Sequence, residues 1–177
     1  MWTDDVERAL APDYLGDVAT RPIEEIRAMR AECRSIEDKV SFVRRMAQGH
    51  LDIVSADLRR RAEGGSPLDL SSMVDRLAEI LSDNVRGPGP GRLPSSAFAP
   101  DDDDLTAELD SVAPAGALAA LEELSDAEVA ALAERLAAFE REVSDRRRAL
   151  FGRIDALGAE LTRRYKSGEA TVGPVLG

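Results

Sequence analysis

The chain has 177 residues, enough for one domain with tails, and its 34 acidic and 23 basic side chains give a formal net charge of −11. Such an acidic surface repels phosphate backbones and disfavours general DNA or RNA binding, although a local arginine cluster could still hold one small anion. Aromatic residues make up only 4% of the chain. That deficit, with abundant Ala, Leu, Glu and Arg, predicts long helices rather than a large globular core.

The residue types that carry most metal and catalytic chemistry are scarce. A single cysteine, Cys33, excludes an internal disulfide and a multi-cysteine metal site, and a single histidine, His50, excludes a histidine-based zinc site. No nucleophile–base spacing typical of an enzyme is visible, so we expect no catalytic residue and no metal site. There is no run of 18 apolar residues and no apolar leader, which predicts a cytoplasmic protein without membrane contact.

The N-terminal third is dominated by one long helix. Residues 1–21 form a mixed N-terminal segment with a short helix from Thr3 to Leu10. The first long helix is predicted over residues 22–63, because Pro22 suits a first helical turn and Gly64 supplies a stop. Apolar residues recur along it at spacings of three and four, which is a heptad seam: Ile26, Met29, Cys33, Ile36, Val40, Val43, Ala47 and Val54.

The middle of the chain changes character twice. A short helix with one apolar face is predicted over residues 69–83. Residues 84–104 are rich in Gly, Pro and Asp and are predicted to be a flexible linker, ending in the acidic run from Asp101. A short helical segment over residues 105–124 is expected to follow.

A second long helix, predicted over residues 125–167, matches the first. Ser125 and Glu128 form a capping box at its start, and a short tail follows at residues 168–177. Its seam again has spacings of three and four: Val129, Leu132, Leu136, Phe139, Val143, Leu150, Leu157 and Leu161. Two matching seams must bury each other, which predicts an all-α fold: a long antiparallel two-helix coiled coil with short accessory helices.

The two long helices also share polar residues when compared at an offset of 103 residues. Over residues 36–58 and 139–161, nine of 23 positions are identical. A shared helical pattern explains the apolar matches but not the polar ones. The polar matches are Glu37/Glu140, Ser41/Ser144, Arg44/Arg147, Arg45/Arg148 and Asp52/Asp155, and Gly49/Gly152 also match.

Five polar residues of the first copy form one stripe beside the seam: Glu37, Ser41, Arg44, Gln48 and Asp52. They lie within about 80° of one another on an ideal helix. In an antiparallel pair the two stripes would lie level, which suits a twofold-symmetric ligand. Arginine pairs with phosphate or with guanine O6 and N7, and a carboxylate accepts from guanine N–H groups. The alternative is a charged coiled-coil flank without a ligand.

The spacing Glu-x3-Ser-x2-Arg-x3-Gln-x3-Asp resembles the signature of the RsiG family of actinobacterial anti-sigma factors. The first copy matches at all five positions. The second copy matches at four, namely Glu140, Ser144, Arg147 and Asp155, and has Phe151 where the family pattern has glutamine. The resemblance covers both long helices, roughly half of the chain.

What the resemblance implies is a sporulation regulator rather than an enzyme. Cyclic di-GMP would bind between the two antiparallel helices through the nine matching motif residues. The loaded surface would then sequester a sigma factor of the WhiG or flagellar type, with no direct contact to nucleic acid. One chain carries both copies, so a monomer is expected before sigma binds. The alternative is a structural coiled-coil adaptor without a nucleotide ligand, which would explain the heptads but not the repeated Ser, Arg and Asp.

Overall fold

The computed structural model describes residues 4–66, 103–114 and 116–168, and all regular structure in these ranges is helical, as predicted. The short helix expected over residues 69–83 lies outside the described residues. None of the described helices combines the length and the apolar character needed to cross a membrane. The elements in chain order are α1 (Asp4–Leu10), α2 (Ile23–Ala62), α3 (Asp103–Val112), a 3-10 turn (Leu121–Glu123) and α4 (Asp126–Ser167).

The ends of the long helices follow from local chemistry. The capping box before α4 is confirmed: the Ser125 amide donates to Glu128 Oε2 at 2.8 Å, and the Glu128 amide donates to Ser125 Oγ at 3.4 Å. The serine contacts also lower the pKa of the Glu128 carboxyl. Gly64 and Gly168 follow the last turns of α2 and α4 with φ of 78° and 76°, a conformation that favours glycine at a helix end.

The predicted linker is too long at its C-terminal end. Helix α3 begins at Asp103, so the last two residues of the range 84–104 are helical. Acidic residues are stabilising in a first helical turn, which is why this part of the acidic run starts a helix. The helical segment expected over residues 105–124 is also interrupted, because α3 ends at Val112, two residues before Pro114, and only a 3-10 turn follows.

The chain divides into two compact units, each built on a segment of α2 and a segment of α4. The terminal unit comprises Met1–Ser41 with Val143–Gly177, and the central unit comprises Phe42–Glu142. In the terminal unit Arg27 bonds Tyr165 while Glu37 bonds Arg147, and in the central unit Gln48 bonds Glu140 while Arg61 bonds Asp126. Higher numbers on α2 meet lower numbers on α4 in each unit, so the helices are antiparallel in both.

The predicted seams form the core of both units. All eight seam residues of α4 and seven of the eight on α2 are buried, and only Met29 is half-buried. Burying a Val, Leu or Ile side chain is worth about 1.5–3 kcal/mol, so these residues dominate the stability of the pair. The second seam has Arg146 between Val143 and Leu150, and its guanidinium reaches Glu7 of α1 at 3.6 Å.

A buried arginine ties the last part of α2 to the segment that leads into α4. The Arg61 side chain is 8% exposed, and its Nε donates to Asp57 Oδ2 at 2.7 Å. Its other nitrogens donate to the backbone oxygens of Leu124 at 2.7 Å and Leu121 at 2.6 Å. Asp57 is fully buried and also accepts from Arg60 at 3.0 Å. We call this group the Arg61 clamp.

The terminal unit contains the same arrangement. Arg164 Nε donates to Glu160 at 2.7 Å, and its other nitrogens donate to the backbone oxygens of Arg21 at 2.5 Å and Val18 at 2.9 Å. Arg163 adds a bond to Glu160, and with Arg164 it lowers the pKa of that carboxyl to about 2. We call this group the Arg164 clamp. Its side chains and its backbone acceptors each lie 103 residues from the corresponding residue of the Arg61 clamp. The repeat is therefore structural as well as sequential.

His50 breaks this equivalence. The position 103 residues later holds Arg153, which donates to the backbone oxygens of Leu10 and Ala11 at the end of α1, at 3.2 and 3.0 Å. His50 Nδ1 is instead buried without a hydrogen-bond partner among the described residues. Burial lowers the pKa of His50, and the charge of Asp110 on α3 partly opposes that shift.

We expect His50 to make stability fall as the pH drops below about 6.5, the ordinary histidine pKa. The unfolded chain takes up the proton more readily than the folded one, so acid favours unfolding. Melting temperatures at pH 7.5, 6.5 and 5.5 should fall more steeply for the wild type than for His50→Gln. Equal slopes would contradict the prediction, since carboxyls with lowered pKa values, such as Glu160, respond only below about pH 4.5.

Candidate ligand-binding site

In the terminal unit, residues from both motif copies contact one another. Arg147 Nε donates to Glu37 Oε1 at 2.8 Å and to Ser41 Oγ at 2.7 Å. The Ser41 hydroxyl donates to the same Glu37 oxygen at 2.5 Å. Ser41 is buried and the Glu37 side chain is 12% exposed, so the three groups form a shielded polar cluster. Helix α2 supplies the carboxylate and the hydroxyl, and α4 supplies the guanidinium.

Phe151, which replaces the glutamine of the motif in the second copy, lies beside this cluster. The guanidinium of Arg147 lies 4.7 Å from the centroid of the Phe151 ring, within cation–π range. The ring is 37% exposed, one of two large apolar side chains exposed in the described chain. Phe151 therefore contacts Arg147 through its ring and still offers aromatic surface to solvent.

In the central unit, residues from both copies meet again with looser contacts. Arg44 Nη1 lies 3.7 Å from Glu140 Oε1, and Gln48 Nε2 donates to the same oxygen at 3.4 Å. Arg44 Nε is buried and has no hydrogen-bond partner among the described residues. A buried guanidinium N–H without an acceptor is costly, so Arg44 stands to gain an acceptor from a bound molecule.

The same two motif positions pair in both units. Glu37 of the first copy bonds Arg147 of the second, and Glu140 of the second copy pairs with Arg44 of the first. The antiparallel packing of α2 and α4 produces this exchange, because each motif glutamate faces the motif arginine of the opposite helix. The two pairs are equivalent in composition but not in strength: among the described residues, Arg147 contacts Glu37, Ser41 and Phe151, whereas Arg44 has one long ion pair.

The motif aspartates lie outside these clusters. Asp52 and Asp155 are exposed, and neither forms a hydrogen bond or an ion pair with the described residues. Ser144 is half-buried. The two aspartates are therefore placed on the motif stripes of their helices with both carboxylate oxygens available as acceptors.

The glycines shared by both copies are not required by protein packing. A Cβ built on Gly49 or Gly152 would meet no described atom within 4 Å. A mid-helix glycine costs about 1 kcal/mol relative to alanine, so both positions carry a cost that nothing in the described chain explains. Both lie one residue after the fourth position of the motif, occupied by Gln48 and Phe151.

Sequence reasoning missed the two arginine clamps. The predicted repeat ended at Leu58 and Leu161, yet extending the same offset by three residues pairs Arg60-Arg61 with Arg163-Arg164. That signal was available but short, and the acidic partners differ, Asp57 against Glu160. Within the described ranges no group of His, Cys, Asp or Glu could hold a metal ion.

The repeated polar stripe and its pairing across two antiparallel helices agree with a comparison of the sequence with protein families. The profile of a family described as RsiG-like matches residues 12–81 and 115–176, which is more than half of the chain and includes both motif copies. No curated protein matches the chain. The chain therefore belongs to the RsiG-like family, and this membership indicates the role of an anti-sigma factor.

Proposed function

We propose that the protein is an anti-sigma factor that binds cyclic di-GMP through the nine motif residues and, once loaded, sequesters a sigma factor of the WhiG or flagellar type. The observation that carries this proposal is the paired exchange of motif residues, Glu37 with Arg147 and Glu140 with Arg44. Two equivalent residue sets match a ligand that has two chemically identical halves.

The chemistry of the motif residues fits guanine and phosphate. The guanidinium groups can form bidentate bonds with guanine O6 and N7 or with a phosphate. The exposed carboxylates of Asp52 and Asp155 can accept the two N–H donors of a guanine Watson–Crick edge. At Gly49 and Gly152 no side chain intervenes, so a bound molecule can approach the helix backbone.

The sigma factor is proposed on the basis of charge as well as family. The chain carries a net charge of −11, and sigma surfaces that contact DNA are basic. Cyclic di-GMP would add further negative charge where Arg44 and Arg147 would otherwise present positive charge. Loading would therefore make the acidic surface more continuous and favour the basic partner.

Calorimetric titration of the whole chain with cyclic di-GMP tests the ligand, with cyclic di-AMP as the control. We expect saturable binding of cyclic di-GMP and at least tenfold weaker binding of cyclic di-AMP, because adenine lacks the O6 acceptor and the N1 and N2 donors. Equal affinity, or no binding of either, would overturn the ligand assignment. A sigma pull-down that depends on cyclic di-GMP would then test the partner.

A structural coiled-coil adaptor without a nucleotide is the second candidate. The buried seams are consistent with it, because a coiled coil needs them with or without a nucleotide. It predicts that capture of a sigma factor is the same with and without cyclic di-GMP. It does not account for the orphaned Arg44 Nε or for the two exposed aspartates repeated at the same offset.

A further inference from the structure

A basic groove lies on the terminal unit, and none of the residues that line it belongs to the motif. It has a volume of about 370 Å³ and is lined by Arg27, Arg30, Arg34, Ala31, Ser35 and Leu161, with Asp38 at one end. In a chain with a net charge of −11, three arginines on one helix face stand out against the overall charge. None of the three is a motif residue.

The arginines of this groove are only partly paired. Arg27 bonds Glu24 at 2.6 Å and the hydroxyl of Tyr165. Arg30 and Arg34 form no hydrogen bond or ion pair with the described residues, and Arg30 Nε is buried without an acceptor. The guanidinium of Arg30 lies flat beside α4 at Gly158, 3.5–3.7 Å from where a Cβ would stand. Arg30 and Arg34 therefore have no anionic partner within the described part of the chain.

The internal repeat supplies a built-in comparison. At an offset of 103 residues, Arg27, Arg30 and Arg34 correspond to Ala130, Ala133 and Ala137. The clamp arginines and most motif residues keep their identity in both copies, whereas this helix face is basic in one copy and alanine in the other. The motif therefore does not require these three arginines, and Arg34, unlike Arg27 and Arg30, has no described contact with α4.

We propose that this groove binds the acidic face of a helix from a protein partner. The arginines follow the spacing i, i+3 and i+7 and span roughly 10 Å along α2, which is more than one oxyanion can bridge. Carboxylates on a partner helix repeat at the same spacing and suit the planar guanidinium fork. The small side chains of Ala31 and Ser35 let a second helix approach closely.

Charge makes the contact local. Asp38 and the acidic remainder of the chain repel an acidic helix, so attraction is confined to the face that holds Arg30 and Arg34. The groove would thus set the register of the partner, while the family's motif residues lie elsewhere on α2 and α4. The contact does not depend on a nucleotide.

A labelled helical peptide with glutamates at i, i+3 and i+7 on an alanine background tests the proposal by fluorescence anisotropy, with a scrambled peptide of equal charge beside it. We expect the wild-type chain to bind the ordered peptide at least fivefold more tightly. Arg34→Glu should weaken that binding about tenfold. Arg135→Glu, an equal charge change at an exposed arginine on α4, should weaken it less than twofold.

Three results would overturn the proposal. The wild type could fail to prefer the ordered peptide, the two variants could weaken binding equally, or inorganic phosphate at equal ionic strength to a chloride control could displace the peptide. The last result would identify a small-anion site instead. Arg34 is exposed, so its reversal is not expected to impair folding, and circular dichroism of both variants checks this.

Discussion

Replacing Arg61 with alanine is expected to destabilise the protein by about 3–5 kcal/mol, a large part of the free energy of unfolding of a small domain. The fully buried carboxylate of Asp57 would lose the 2.7 Å bond from Arg61, and its ion pair with Arg60 involves a partly exposed side chain. The backbone oxygens of Leu121 and Leu124 would lose the donors that fix the segment before α4. Removing one partner of a buried ion pair costs more than the pair is worth, because the remaining charge stays desolvated.

Urea denaturation followed by circular dichroism measures this loss. Arg59→Ala is the matched control, because Arg59 is exposed and its one bond within the described ranges goes to the Ser55 oxygen one turn away. We expect this variant to change stability by no more than about 0.5 kcal/mol. The double variant Asp57→Ala and Arg61→Ala should recover part of the loss, since the desolvated carboxylate is removed as well. A loss for Arg61→Ala as small as for Arg59→Ala would show that the clamp contributes little.

The helices were predictable because their signals are strong and local. Heptad spacing, Gly64, Gly168 and the Ser125 cap define α2 and α4, whose observed bounds lie within one residue of the predicted ones. The start of α3 was not predictable, because an aspartate run suits a solvated loop and a first helical turn equally well. The 3-10 turn was missed because its backbone oxygens are held by the Arg61 clamp. Arg61 lies 60 positions before Leu121 and 63 before Leu124, so no local sequence signal reveals the contact.

The motif was predictable as a set of residues, but its pairing was not. One helical stripe places Glu37, Ser41 and Arg44 on a common face, yet the sequence does not reveal that each motif glutamate meets the opposite arginine. It also does not reveal that Phe151 contacts Arg147 through its ring. The difference between the two arginines arises from tertiary contacts, which decide how each guanidinium is already satisfied before any ligand arrives.

That difference predicts unequal effects of the two motif arginines on binding of cyclic di-GMP. Arg44→Ala should cost about 2–3 kcal/mol, or roughly 30- to 150-fold in affinity, because the unpaired Arg44 Nε has most to gain from a ligand acceptor. Arg147→Ala should cost less, since Arg147 must first give up bonds to Glu37 and Ser41. Calorimetric titration of each variant against the wild type measures both affinities.

The neighbouring arginines provide the controls. Arg45 and Arg148 are exposed and directly follow the two motif arginines, so Arg45→Ala and Arg148→Ala remove the same charge one residue away. We expect each to change the affinity for cyclic di-GMP less than twofold. Phe151→Gln makes the second copy like the first and removes the ring from Arg147. In that background Arg147→Ala should still cost less than Arg44→Ala, because the bonds of Arg147 to Glu37 and Ser41 remain. Equal costs there would mean that the ring, rather than Glu37 and Ser41, sets the inequality. A greater cost for Arg147→Ala than for Arg44→Ala in the otherwise unchanged chain would contradict the assigned order.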